Sequence, residues 1–176
     1  DADGNVYVAD SLNNAIRKIN PQAAVSTLAG SNLRIGSTNG NALTVASFAN
    51  PSGVVRDSKG NFFVADTFNN LIRKITPEGV VSTFSDGKVA GTGPETIFRE
   101  PQSLAIDAKD NLYVTDTLGH VIRKITPDGR VTTLAGSGKA TFADGQGADA
   151  SFNQPAGVAV DLHGHVYVAD EGNHRI

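Results

Sequence analysis

The sequence predicts an all-β fold built from four-stranded antiparallel units, and three observations carry that prediction. A set of short motifs recurs along the whole chain, constant distances separate the motifs within each unit, and no stretch of ten residues sustains helical periodicity. The first motif is Asn5-Val-Tyr-Val-Ala-Asp10, repeated at Asn61–Asp66, Asn111–Asp116 and His165–Asp170. Its closing Asp residues lie 56, 50 and 54 positions apart.

The other strands follow in order. Ile16-Arg-Lys-Ile19 returns at Ile72–Ile75 and Ile122–Ile125, each copy beginning six residues after the Asp. Val25-Ser-Thr-Leu28 returns at Val81–Phe84 and Val131–Leu134. A fourth motif opens with proline, at Pro51–Asp57, Pro101–Asp107 and Pro155–Asp161. All are rich in Val, Ile, Thr and aromatic residues and bounded by Gly, Asn, Asp or Pro, the composition of strands joined by turns. Asp57-Ser-Lys-Gly-Asn61, Thr76-Pro-Glu-Gly79 and Thr126-Pro-Asp-Gly129 place Gly and Pro where tight turns need them. Phe48, Phe98 and Phe152, each three residues before the strand-opening proline, are expected to plug the core once per unit.

Length variation is confined to one connection. From the Asp of the first motif to the end of the third the distance is 18 in every unit, and from the proline to the next Asp it is 15. Only the link from the outer motif to the next proline changes, at 23, 17 and 21 residues. Loops that vary on a constant scaffold are where binding usually sits, so this link nominates a face.

Composition removes several function classes. Lys and Arg total 15 against 18 Asp and Glu, a net charge of −3, which is wrong for a general phosphate-backbone binder. No apolar run is long enough for membrane insertion, and the absence of Cys excludes disulfides, thiolate metal sites and thiol nucleophiles. With no Met, the sequence is expected to be a piece of a longer protein.

Repeated four-stranded units of about 50 residues are the signature of a β-propeller, in which each unit is a blade whose faces its neighbours bury. The expected fold is a partial propeller of about three four-stranded antiparallel blades plus the start of a fourth. The repeats are counted as 1–56 (lacking its first strand), 57–106, 107–160 and a partial 161–176. With strands named A to D from the axis outwards, the proline motif is A, the Asp motif B, Ile-Arg-Lys-Ile C and Val-Ser-Thr-Leu D. An alternative is a half-propeller whose open sheet edges join in a six-bladed homodimer.

Asn173-His174-Arg175-Ile176 after Tyr167-Val-Ala-Asp170, with Pro155–Asp161 ahead of it, resembles the NHL repeat. Asn13-Asn14-Ala15-Ile16, Asn69-Asn70-Leu71-Ile72 and the departing Gly119-His120-Val121-Ile122 are its other copies. The resemblance implies a propeller, most often six-bladed. The loop Leu134–Phe152 resembles the loop style of bacterial secreted or cell-surface members, which implies an extracytoplasmic location. Some members of the family bind RNA through a basic face, and related lyases and lactonases hold a metal near the axis.

Neither activity is expected here. The Arg-Lys pairs at 17/18, 73/74 and 123/124 split between opposite sides of a strand, so they form no single basic patch and are read as packing through their aliphatic stems. Asp10, Asp66, Asp116 and Asp170, one per unit at the same register, read as structural acceptors of turn amides. His163 and His165 read as surface residues of an A–B turn, and Asp144–Asp149 lacks the ligand pattern of a calcium loop. No catalytic, cofactor or metal residue is therefore assigned. The expected function is an interaction scaffold for a protein, peptide or glycan, with a metal-dependent lyase or hydrolase as the alternative. Its binding face should carry the B–C turns (Asn13, Asn14, Asn69, Asn70, His120, Asn173 and His174) and the D–A loops (Arg34, Arg99 and Asp144).

Overall fold

The computed structural model describes residues 1–88 and 97–176. Strands β1 (Val6–Asp10), β2 (Ala15–Ile19) and β3 (Val25–Gly30) form a three-stranded sheet. The second sheet contains β4 (Gly40–Asn41), β5 (Pro51–Arg56), β6 (Phe62–Asp66), β7 (Leu71–Ile75) and β8 (Val80–Ser85), in the order β4-β8-β7-β6-β5. The third is the antiparallel meander β9 (Pro101–Ile106), β10 (Leu112–Asp116), β11 (Val121–Ile125) and β12 (Val131–Ala135), and β13 (Pro155–Val160) pairs with β14 (Val166–Asp170). The fold is thus all-β with the A-B-C-D strand order of propeller blades. The sheets that contain β5, β9 and β13 take these A strands from the residues just before an Asp57-type turn, and the first sheet lacks one, so sheets and sequence repeats are offset by one strand.

The structure adds one strand that the sequence motifs do not predict. Within the link 31–50, Gly40 and Asn41 pair with Val81 and Val80, adding β4 to the outer edge of the second sheet. Ala42 ties this excursion down on both sides, donating to Gly79 O and accepting from Gly30 N–H. The middle of the shorter link, 89–96, lies outside the described residues.

The two inner blades pack because their B strands, β6 and β10, bury both faces. Phe62 and Val64 point into one core with Ile16 and Phe48, while Phe63 and Ala65 point into another with Phe98 and Leu112. This is strand alternation with a neighbour on either side. Phe48 and Phe98 are wholly buried, and Phe152 is half-buried. Each full sheet repeats a register shift between its A and B strands, at Pro51/Gly53 and again at Val114/Asp116, and such bulges sharpen the twist a blade needs. The inner strands β5, β9 and β13 pack in succession. Gly53 is required there, because a Cβ on it would stand 2.7 Å from Gln102 O of the next blade.

The hydroxyl that follows Asp10, Asp66 and Asp116 stitches blades together. Ser11, Thr67 and Thr117 donate to the carbonyls of Pro51, Pro101 and Pro155, the first residues of the next A strands, at 2.7 to 2.8 Å. Together with the packed inner strands, these bonds place the B–C turns and D–A loops at one end of the blades and the A–B turns at the other.

Candidate functional site

Each B strand ends on an Asp that precedes a short 3-10 turn, and this carboxylate organises the B–C/D–A end. Asp66 is fully buried. Its Oδ1 accepts the Ala49 N–H at 2.7 Å, and its Oδ2 accepts Asn69 Nδ2 at 2.8 Å and Arg73 Nη1 at 2.9 Å. Burial pushes the Asp66 carboxyl above the ordinary carboxylate range, opposed by the Ala49 amide, Asn69 and Arg73. Asp116 repeats the arrangement with the Arg99 N–H and Arg123, and burial likewise raises its pKa. Asp170 accepts the Asn153 N–H and Asn173 Nδ2, and Asp10 accepts Asn13 Nδ2 and Arg17.

The arginines do more than the expected packing of aliphatic stems. Arg73 is wholly buried, and beyond Asp66 it donates to Ser47 O, Thr38 O and Asn39 Oδ1 while lying 5.4 Å from the Phe48 ring. Its guanidinium thus fastens the 31–50 loop onto the second sheet. A planar fork with five donors suits this task where an ammonium would not. Arg123 likewise bonds Asp116 and the Thr133 hydroxyl.

A second set of bonds joins each B–C turn to the loop after it. Asn14, Asn70, His120 and His174 all occupy the left-handed region, with φ between 49° and 56°. Asn14 Oδ1 accepts the Asn50 N–H, Asn70 Oδ1 the Glu100 N–H and His120 Nδ1 the Gln154 N–H, at 2.8, 2.8 and 3.1 Å. His174, at the fourth turn, is exposed.

The structure therefore places the expected face residues as follows. Asn14, Asn69, Asn70 and His120 are committed to the chain's own turns and loops, Asn69 also donating to Gly36 O. Asn173 similarly donates to Thr141 O. Asn13 and Arg34 meet in a cavity of about 380 Å³ that Arg17 and Leu43 also line, where Arg34 donates to Leu43 O. Asp144 lines a separate cavity of about 540 Å³ with Phe142, Tyr167 and Arg175. Arg99 gives its backbone N–H to Asp116 and leaves its side chain exposed.

What the sequence reading missed on this end is apolar. Leu12 and Phe68 sit at the tips of the 3-10 turns, 93% and 63% exposed, and Leu33 and Ile35 project from the neighbouring loop at 87% and 73%. The signal was present in the repeats Asp-Ser-Leu and Asp-Thr-Phe, where an apolar residue stands second after the Asp. Among the described residues, one group of metal-ligating side chains converges, namely Asp161, His163 and His165, and it lies at the opposite end on an A–B turn.

The NHL repeat model matches residues 48–75 and 152–176. Among solved structures, the chain is similar to a Bacteroides thetaiotaomicron protein of unknown function, at 25% identity and a TM-score of 0.76 over 98% of this chain and 43% of that one. An auxiliary nutrient binding protein of the same organism aligns at 17% identity and a TM-score of 0.72, covering 99% of this chain and 44% of the other. Virginiamycin B lyase of Staphylococcus aureus aligns at 16% identity and a TM-score of 0.62, covering 96% and 46%. The chain thus spans less than half the length of these structures. No curated protein sequence matches it.

Proposed function

We propose that this chain, which matches the NHL repeat model at residues 48–75 and 152–176 and folds as propeller blades, is a non-catalytic interaction scaffold whose B–C/D–A end binds a protein or peptide partner. The observation that carries this reading is the set of exposed apolar side chains Leu12, Phe68, Leu33 and Ile35 on turns and loops that the Asp, Asn and Arg bonds hold rigid. Exposed apolar groups on a preorganised surface favour binding, because little conformational entropy remains to be lost on association. Arg34 and Arg99 stand among them and would orient an acidic or amide-rich partner. The polar amides that first suggested this face serve to shape it. A glycan partner draws support from the likeness to nutrient binding proteins, but it would need exposed polar groups that here are largely engaged within the chain.

The test is selection of ligands from peptide and glycan libraries, followed by titration against variants with charged tips. Leu12→Asp, Phe68→Asp and Leu33→Asp should each weaken a selected peptide at least tenfold while leaving circular dichroism unchanged. Ligands insensitive to all three substitutions, or a metal-dependent turnover reaction, would overturn the proposal.

A further inference from the structure

The A–B turns share a second Asp-centred arrangement. Asp57 Oδ1 accepts the N–H groups of Lys59 and Asn61, and its Oδ2 accepts Asn61 Nδ2 at 2.7 Å. Asp107 does the same with Lys109 and Asn111, and Asp1 with Asp3 and Asn5. In the β13–β14 hairpin the backbone part is kept, with Asp161 Oδ1 accepting the N–H groups of His163 and His165 at 2.9 and 2.8 Å. Both side chains above it have changed. His165 replaces the asparagine and sets Nδ1 2.9 Å from Asp161 Oδ2, and His163 replaces Lys59 and Lys109 and sets Nδ1 3.9 Å from the same oxygen.

We propose that Asp161, His163 and His165 form a binding site for a divalent transition-metal cation of the zinc and copper class. Their three ligand atoms lie within 4.8 Å of one another. A tetrahedral ion bound at about 2.0–2.1 Å needs its ligand atoms about 3.3 Å apart. The spacings of 2.9 and 3.9 Å from the shared carboxylate oxygen bracket that value, so modest rotations of two exposed rings complete the site. Asp161 is already fixed by its backbone bonds to Oδ1, which turns Oδ2 toward both imidazoles. Two imidazoles and one carboxylate select zinc, copper or nickel over magnesium and calcium, which prefer all-oxygen sets. With three ligands from a single turn, the ion keeps at least one position open. The adjoining cleft of about 370 Å³, between this turn and the preceding A–B turn, is lined by Lys109 and Lys124 together with His163. A metal-bound anion or a partner's own side chain would fill the open position there.

The other turns supply the control variants, since Asn and Lys at these two positions already fold the same staple. Isothermal titration of the chain with zinc chloride should show one zinc per molecule. His165→Asn and His163→Lys should each weaken binding at least tenfold, and the double variant should abolish it with circular dichroism unchanged. Zinc should shift the imidazole NMR resonances of His163 and His165 and leave those of His120 and His174 in place. The proposal is overturned by no binding at millimolar zinc, by binding that survives the double variant, or by magnesium binding equally well.

Discussion

The two ends of each B strand are both organised by an aspartate, but the chain lengths they span differ. At the B–C/D–A end, Asp66 reaches an amide 17 residues upstream and Asn70 one 30 residues downstream, so these bonds hold loops to sheets and one blade to the next. At the A–B end, Asp107 bonds amides only two and four residues ahead and closes its own hairpin. The first arrangement is tertiary structure written in polar groups, and the second is local turn chemistry. Loss of the bond to Asp66 leaves a buried donor unmet, whereas at the Asp161 turn, where His163 and His165 are exposed, water can serve the groups a lost bond frees. The A–B end can therefore exchange side chains cheaply, and there Asn and Lys give way to His165 and His163.

The largest expected effect breaks the non-local end. Arg73→Leu removes the cation paired with buried Asp66 and the donor to Thr38 and Ser47, and should cost about 3–5 kcal/mol in chemical denaturation. Arg17→Leu removes the same residue of the motif where both side chains of the pair are about 30% exposed, and should cost no more than about 1 kcal/mol. Equal losses at the two positions would show that burial by the loop is not what gives the ion pair its weight.

A smaller effect tests the blade-to-blade bonds. Asn70→Ala leaves the Glu100 N–H without its acceptor and should cost about 1–3 kcal/mol. His120→Ala should behave alike through Gln154, while His120→Asn, which restores the residue of the other turns, should change stability by less than about 0.5 kcal/mol in thermal unfolding. If Asn at this position is as damaging as Ala, the imidazole contributes something other than an acceptor.

These contrasts show which parts of the molecule were legible in the sequence. Strands B and C could be read because both faces of β6 are buried, so Phe62, Phe63, Val64 and Ala65 are all apolar and the pattern survives in every copy. Strand β4 could not, because Gly40 and Asn41 have no strand preference and pair only where the loop is pinned by Ala42 and Arg73. The fixed register of Asp66 marks it in the sequence as a repeated position, but its arginine partner seven residues on is not marked. Alternation along β7 says which side Arg73 faces and nothing about a loop arriving from 35 residues away. The turn amides were visible and their role was not, since a left-handed Asn that accepts from the next loop reads in sequence like an Asn open to a partner.

Acid sharpens the comparison, because Asp107 at one end and Asp66 and Asp116 at the other are shifted with opposite sign. Burial tends to raise Asp107, but bonds from the Asn111 side chain and amide, the Lys109 amide and the Tyr113 hydroxyl bring its carboxyl below the ordinary range. Its contribution is present above the unfolded value near 3.9 and is lost as pH falls through the depressed folded value. Asp66 and Asp116 are raised by burial, so their contribution favours the fold when protonated and diminishes as pH rises through their folded values. Urea midpoints measured from pH 2 to pH 7 should thus show a shallower acid loss in Asp107→Asn than in the parent chain. In Asp66→Asn the stability lost on raising the pH through the carboxylate range should shrink. The same sign of change in both variants would break the distinction.

A single hydrogen bond is tested at Tyr113, whose hydroxyl donates to Asp107 Oδ2 at 3.1 Å. Phe63 stands at the corresponding position of the second sheet, so a phenyl ring fits this site and Tyr113→Phe removes one hydrogen bond without changing the packing. The expected cost is about 0.5–1.5 kcal/mol. The Tyr113 phenol is itself raised above its ordinary value, first by burial and then by the bond to the Asp107 carboxylate and its charge. Asp107→Asn should therefore lower its titration midpoint in ultraviolet absorbance only part of the way, since burial remains. A full return to the ordinary tyrosine value would mean that the charge of Asp107, and not the ring's packing, dominates, and the local end would then be held by electrostatics more than by the turn geometry it shares with Asp57.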